Sequence, residues 1–194
     1  MPHDTSSIAA PRREPFFDPL AAPAEARHAH RLLALLRAQD GSTTRLCETI
    51  AGTVPSVRMW HQQLVSDVPP PVREILPGTR WLERTTSLVA HGEVMTDNLV
   101  YVAPDALADE LRGALDEGRV PIGHLLSRLW VRRRTVADAA LLQQRLWRLV
   151  GLPEAAATRS YLITTPDGPC MVVTETFRRG MLMEHAAAGA AAGR

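Results

Sequence analysis

Pro-Cys-Met-Val-Val-Thr-Glu-Thr-Phe, residues 169–177, is the stretch on which the fold turns. β-Branched and aromatic side chains fill it and the turn-forming Pro166-Asp167-Gly168 precedes it, so it reads as a strand. Strand side chains alternate between faces. Met171, Val173, Glu175 and Phe177 therefore share one face, and Cys170, Val172, Thr174 and Thr176 the other. Glu175 is a carboxylate on the more apolar face, where an unpartnered charge is costly. It is expected to have an arginine partner, to stay protonated, or to face a pocket in which a ligand meets it.

Working outward, Thr158 to Thr164 forms the other arm of a hairpin with Cys170 to Phe177, through the link Thr165-Pro166-Asp167-Gly168-Pro169. An earlier hairpin runs from Trp81 to Ala90, turns at His91-Gly92 and returns over Glu93 to Val102. On its first arm Leu82, Arg84, Thr86, Leu88 and Ala90 share a face. Arg84 sits among apolar side chains, as Glu175 does, and a guanidinium grips carboxylates bidentately. Two strands that each point a charge at the apolar side imply one buried polar site. Either the two pair directly inside the core or a ligand lies between them.

The rest of the chain supplies helices and a few more strands. Residues 1–22, rich in Pro, Ala, Ser and Arg, are expected to be a disordered arm that Phe16-Phe17 tacks to the body. Residues 23–183 form one domain, and the Ala/Gly-rich residues 184–194 are expected to be a disordered tail. A leucine-rich helix starts at Pro23, and Ser42 or Thr43 caps a second one that Gly52 stops. Val57, Met59 and His61 alternate with Arg58, Trp60 and Gln62, a strand signal. Asp67 to Gly78 is a proline-rich loop or short helical excursion. Asp105 is expected to cap a helix that presents Leu107, Leu111 and Leu115 and ends at Gly118. Pro121 to Leu129 reads as another short helix. Val131 to Asp138 is ambiguous; Ala139 to Val150 leans helical, although its spacing also suits a strand. Trp81, Trp130 and Trp147 are expected in the core. About six strands joined mainly by hairpins favour an α+β fold with a single, mostly antiparallel sheet.

Composition excludes several chemistries. The 194 residues carry 22 basic and 21 acidic side chains, a net charge of +1, which argues against a nucleic-acid or membrane partner on global charge. Every basic residue is arginine, so a lysine Schiff base, a lysine nucleophile and a lysine phosphate loop are all ruled out. Cys47 and Cys170 read as small buried residues of a reducing compartment, and no apolar run reaches membrane-spanning length, so the chain is expected to be soluble and cytoplasmic. His28-x-His30 has the wrong spacing for one helix face, and Arg132-Arg133-Arg134 reads as a solvated face.

Four pieces in order resemble the chorismate pyruvate-lyase family. They are Asp40-Gly41-Ser42-Thr43-Thr44-Arg45, Leu82-Glu83-Arg84 leading to Gly92-Glu93, Val120-Pro121-Ile122-Gly123, and Val173-Thr174-Glu175-Thr176-Phe177. The resemblance covers Leu32 to Phe177. It implies an antiparallel sheet with helices packed on it and a buried, flap-covered site. It implies Arg84 and Glu175 as catalytic residues, with Arg84 holding the ring carboxylate and Glu175 at the phenol end. Thr43 and Ile122 match positions that touch the ligand carboxylate through the main chain, and Arg45 or Arg159 is a candidate for the second carboxylate. The implied activity is elimination of pyruvate from chorismate to give 4-hydroxybenzoate, without metal or organic cofactor. The resemblance also implies a strand through 139–150, against the helical lean of the residues, and the chain departs from the family at Asp97-Asn98-Leu99. The alternatives are a non-catalytic aromatic-acid-sensing domain, like the effector domains of some transcription regulators, and a lyase for a related chorismate-derived substrate. Only about 30 residues precede the leucine run that starts at Leu32, so a sensor is expected to act through a separate partner. The oligomeric state is left open.

Overall fold

Two-residue turns set the sheet. In the computed structural model, which describes residues 10–117 and 120–183, β2 (Trp81–Ala90) and β3 (Glu93–Val102) are joined by His91-Gly92, both at positive φ (51° and 80°). That is the backbone of the turn that matches strand twist, and glycine adopts it without steric cost. The second hairpin pairs β5 (Thr158–Thr165) with β6 (Gly168–Phe177), its ladder running to Thr165 and Gly168. With β1 (Ser56–Val65) and β4 (Arg132–Thr135) they make one six-stranded sheet in the order β1-β2-β3-β6-β5-β4, every pair antiparallel. The α+β architecture with a single antiparallel sheet expected from the sequence is the observed one.

Helices cover both faces. On the face of Arg84 and Glu175 lie α1 (Pro23–Ala38), α2 (Thr43–Ala51), α4 (Asp109–Glu117) and α5 (Ile122–Leu125). Leu33 and Leu36 of α1 and Cys47 of α2 pack on Leu88 and Phe177, while Leu111 and Leu115 of α4 pack near Val100 and Val173. The opposite face is covered by α3 (Pro70–Ile75) and α6 (Ala140–Val150). The α2 N-terminus is capped as read from the sequence, with Ser42 Oγ accepting from Arg45 N.

Several expectations need correction. Residues 140–150 form a helix, not the strand implied by the family resemblance. Leu142 and Leu146, four apart, fall on one helical stripe and are fully buried against Leu99, Tyr101 and Val172. The ambiguous 131–138 contributes the edge strand β4. Asp105 lies in a short 3-10 turn, Pro104–Ala106, and α4 begins at Asp109. The expected stop of α4 at Gly118 and the tail 184–194 fall outside the described residues. Trp81 is buried, but Trp130 is exposed and Trp147 only partly covered.

The expected arm is the larger surprise. Residues 1–9 lie outside the description, but from residue 10 the chain packs on the body. Phe16 is fully buried, Arg12 exchanges main-chain hydrogen bonds with Gly92 and Val94, and Arg13 reaches Asp97 at 2.9 Å. Asp97 is itself buried and also takes Arg178 Nε at 2.7 Å and the Ser87 hydroxyl. Composition suggested disorder because three separate ties, each to a distant residue, leave no local signature.

A close approach at Gly123 and the burial of two thiols both bear on stability. A Cβ on Gly123 of α5 would stand 2.3 Å from Thr44 Oγ1 and 2.8 Å from Ser42 Oγ, at the α2–α5 contact. Gly123→Ala is expected to cost about 1–3 kcal/mol in urea unfolding, whereas Gly113→Ala in α4, with open space around it, is expected to be neutral or stabilising. Cys47 and Cys170 are free and buried; burial pushes the Cys170 thiol up to about 11 and Cys47 higher still, with the Glu175 charge adding to the effect. Neither thiol is expected to react with Ellman's reagent at pH 8 until the protein is denatured. Because the folded thiol values lie above the ordinary ~8.5, their contribution to stability is whole below that pH. It falls as pH rises toward 11.

Candidate functional site

Strand register builds the site. Across the sheet one row runs Arg84, Val100, Val173, Tyr161, and the next runs Thr86, Asn98, Glu175, Arg159. All of these side chains emerge on the face covered by α2 and α5. Arg84 on β2 and Glu175 on β6 are thus separated by the whole of β3, about 10 Å at two strand spacings, with Val100 and Asn98 between them. The direct Arg84–Glu175 pair that the sequence left open is not what forms.

The carboxylate instead pairs with its cross-strand neighbour. Arg159 Nε donates to Glu175 Oε1 at 2.6 Å, with side-chain exposures of 13% and 2%. Thr43 Oγ1 donates to the same oxygen at 2.9 Å, and Tyr161 OH to Oε2 at 3.3 Å. Burial and the nearby Glu175 charge raise the Tyr161 pKa well above its ordinary value, which keeps the phenol a donor. Arg159 also caps α1, its Nη1 donating to the carbonyls of Leu36 (2.7 Å) and Gln39 (2.8 Å), while Nη2 donates to Thr43 Oγ1 (3.1 Å). One guanidinium therefore closes the last turn of a helix and neutralises a buried acid.

Arg84 has different company. It is 1% exposed, and its Nη1 and Nη2 donate to the carbonyls of Leu115 (3.4 Å) and Val120 (3.3 Å). Burial lowers its pKa from the ordinary arginine value.

A cavity of about 50 Å³ connects the two ends, several times the ~10–15 Å³ a water molecule needs. Thr43, Arg84, Ile122 and Glu175, the four residues singled out from the sequence, all line it. Its apolar walls include Leu88, Val100, Leu126 and Val173. Thr43 takes part through its side chain, whereas the resemblance implied only its main chain. Of the two candidates for a second carboxylate, Arg159 is engaged with Glu175 and Arg45 is exposed on α2. Sequence reading missed Tyr161 and Asn98. Both follow once the register is known, since Tyr161 pairs with Val173 and Asn98 with Glu175. Among the described residues no group of His, Cys, Asp or Glu is arranged to hold a metal, and no helix is long and apolar enough to cross a membrane.

No family model and no curated protein matches the sequence. Solved structures do match in fold. PhnF from Mycobacterium smegmatis is 15% identical over 81% of this chain and 81% of that one, with a TM-score of 0.43. The C-terminal domain of the histidine utilization repressor from Pseudomonas syringae is 9% identical, covering 72% and 97% of the two chains, with a TM-score of 0.41. A GntR-family transcriptional regulator from Enterococcus faecalis is 8% identical, covering 63% and 92%, with a TM-score of 0.40. These are likenesses of fold alone. The observed sheet is compatible with the fold of the chorismate pyruvate-lyases, but no match joins the chain to that family. Two expectations are corrected. The chain was expected to be a lyase, yet the proteins of this fold just named with a role are a repressor and a transcriptional regulator. The expectation that nucleic acid is not a partner is withdrawn on the same finding.

Removing the cation from the buried pair tests the site's internal electrostatics. Arg159→Ala leaves Glu175 buried without its counter-charge and opens the end of α1. It is expected to cost about 3–5 kcal/mol of stability, measured by urea unfolding at pH 7. Arg45→Ala, on an exposed side chain, is expected to cost less than ~0.5 kcal/mol.

Proposed function

We propose that this chain is a non-catalytic sensing domain for a small aromatic carboxylic acid. The carrying observation is a cavity with a buried guanidinium at one end, a buried carboxylate at the other and apolar walls between. Arg84 takes the ligand carboxylate in a bidentate grip. Leu88, Val100, Ile122 and Val173 enclose the ring. At the far end Glu175 has spent Oε1 on Arg159 and Thr43, so Oε2, beside Tyr161, is the oxygen that accepts from a ligand hydroxyl. Ile122 and Thr43 close the cavity from α5 and α2.

The grip on the ligand also supplies a response. Arg84 fastens Leu115, near the end of α4, and Val120, just before α5. A carboxylate that draws the guanidinium away from these carbonyls loosens the α4–α5 connection, which is the differential contact a switch requires. In a regulator of transcription this change is what a nucleic-acid-binding part reads, and nucleic acid itself is engaged away from this apolar cavity.

Calorimetric titration of the purified protein with 4-hydroxybenzoate, benzoate and cyclohexanecarboxylate tests the reading. Saturable binding is expected, tightest for 4-hydroxybenzoate, with the ligand recovered chemically unchanged. Arg84→Met is expected to weaken it at least ~30-fold, corresponding to about 2 kcal/mol for a lost buried charge partner. Glu175→Gln is expected to erase the preference for the hydroxylated acid, about fivefold. No saturable binding of any of the three by folded protein would overturn the proposal.

A further inference from the structure

A second cavity, about 210 Å³, lies at the end of α1 beside the β4–β5 edge of the sheet. Arg37, Gln39, Arg133, Arg134 and Arg159 line it, and Asp40 is the one acidic residue among its walls. Arg159 is already neutralised by Glu175. Arg37, Arg133 and Arg134 make no ion pair among the described residues. Arg37 Nη1 donates to the carbonyl of Ala156 (3.2 Å) and Arg133 Nη1 to that of Asp40 (3.2 Å), which leaves their charges uncompensated. By strand alternation Arg133 and Arg134 emerge on opposite faces of β4, so Arg37 and Arg133 are the cations set against the single carboxylate.

Hydrogen-bond accounting points the same way. Arg133 Nε and Gln39 Nε2 are buried donors without an acceptor, both on residues that wall this cavity. Buried donors are nearly always satisfied in folded proteins, and an unsatisfied group calls for a partner. The partner that fits is negatively charged, rich in acceptor oxygens and small. A phosphomonoester carries about −1.5 to −2 charge at pH 7 and three acceptor oxygens, which suits an excess of positive charge with idle donors on the wall residues. Guanidinium groups bind such oxyanions through parallel N–H bonds.

We propose that this cavity binds the phosphate group of a phosphomonoester or free inorganic phosphate. Arg133 and Tyr161 line both cavities, so the two sites share a wall. The proposal stands apart from the aromatic-acid reading, since Arg37, Gln39 and Arg134 line only the second cavity.

The test is calorimetric titration with inorganic phosphate and with phenyl phosphate, at ionic strength held constant with chloride. Saturable binding is expected for both if free phosphate is the ligand. Tighter binding of phenyl phosphate assigns the site to the phosphate of a larger molecule. The variant Arg37→Gln is expected to bind phosphate at least tenfold more weakly, with benzoate titrations unchanged. Arg31→Gln removes the same charge from the exposed side of α1 and is expected to have no effect. Equal weakening by both variants, or no saturable binding of either phosphate by the natural chain, would overturn the site. Loss of benzoate binding with phosphate binding intact would strike only the first reading.

Discussion

The buried ion pair between Glu175 and Arg159 is the constraint on which the other arrangements rest. It joins two central strands, the last turn of α1 and the first turn of α2 in one hydrogen-bonded cluster. A buried carboxylate without a counter-charge is costly, and a guanidinium aimed at it has donors left over for helix carbonyls. The helices that roof the cavity are therefore positioned by the same charge that forms its polar end. Stability and the shape of the cavity are coupled here, because a change that loosens the pair also releases the hydrogen bonds that hold Thr43.

The opposite face of the sheet follows another logic. Glu83 is buried there and accepts from Tyr101 OH at 2.6 Å and from Arg145 at 2.9 Å, while hydroxyl pairs such as Ser160 with Thr174 (2.8 Å) continue the polar stripe. Asp97 with Arg13 and Arg178 closes its other end. This face holds the N-terminal segment and α6 by specific polar partners, whereas the first face keeps its apolar walls for the cavity. Both faces are buried, so the alternation of the strands sorts two kinds of interior rather than core from solvent.

Much of this was legible in the residues. The β2–β3 hairpin was readable to the residue because His91-Gly92 has a local stereochemical signature, and the faces of Arg84 and Glu175 followed from period two. What period two cannot supply is which strands are neighbours. Arg159 was visible as a cation but its pairing with Glu175 depends on the β5–β6 register, and the separation of Arg84 from Glu175 depends on β3 lying between them. For α6 the residue-level lean was correct and the family resemblance was not, since two leucines four apart outweighed a borrowed strand. The N-terminal segment was misread because Arg13 and Phe16 find partners more than 80 residues away or deep in the core.

The hold of Arg84 on the carbonyls of Leu115 and Val120 has a kinetic consequence. On the proposed reading, a guanidinium with 1% exposure meets a solute only after the contacts over it give way, so entry to the cavity would be a two-step process in which opening comes first. The opening equilibrium taxes the apparent affinity by the fraction of open molecules. The same cover, re-formed over an occupant, slows its escape. On the proposed reading, residence time would depend in part on the hydrogen bonds from Arg84 to main-chain carbonyls, and a substitution that weakens them would alter how long an occupant stays without touching any group in contact with it.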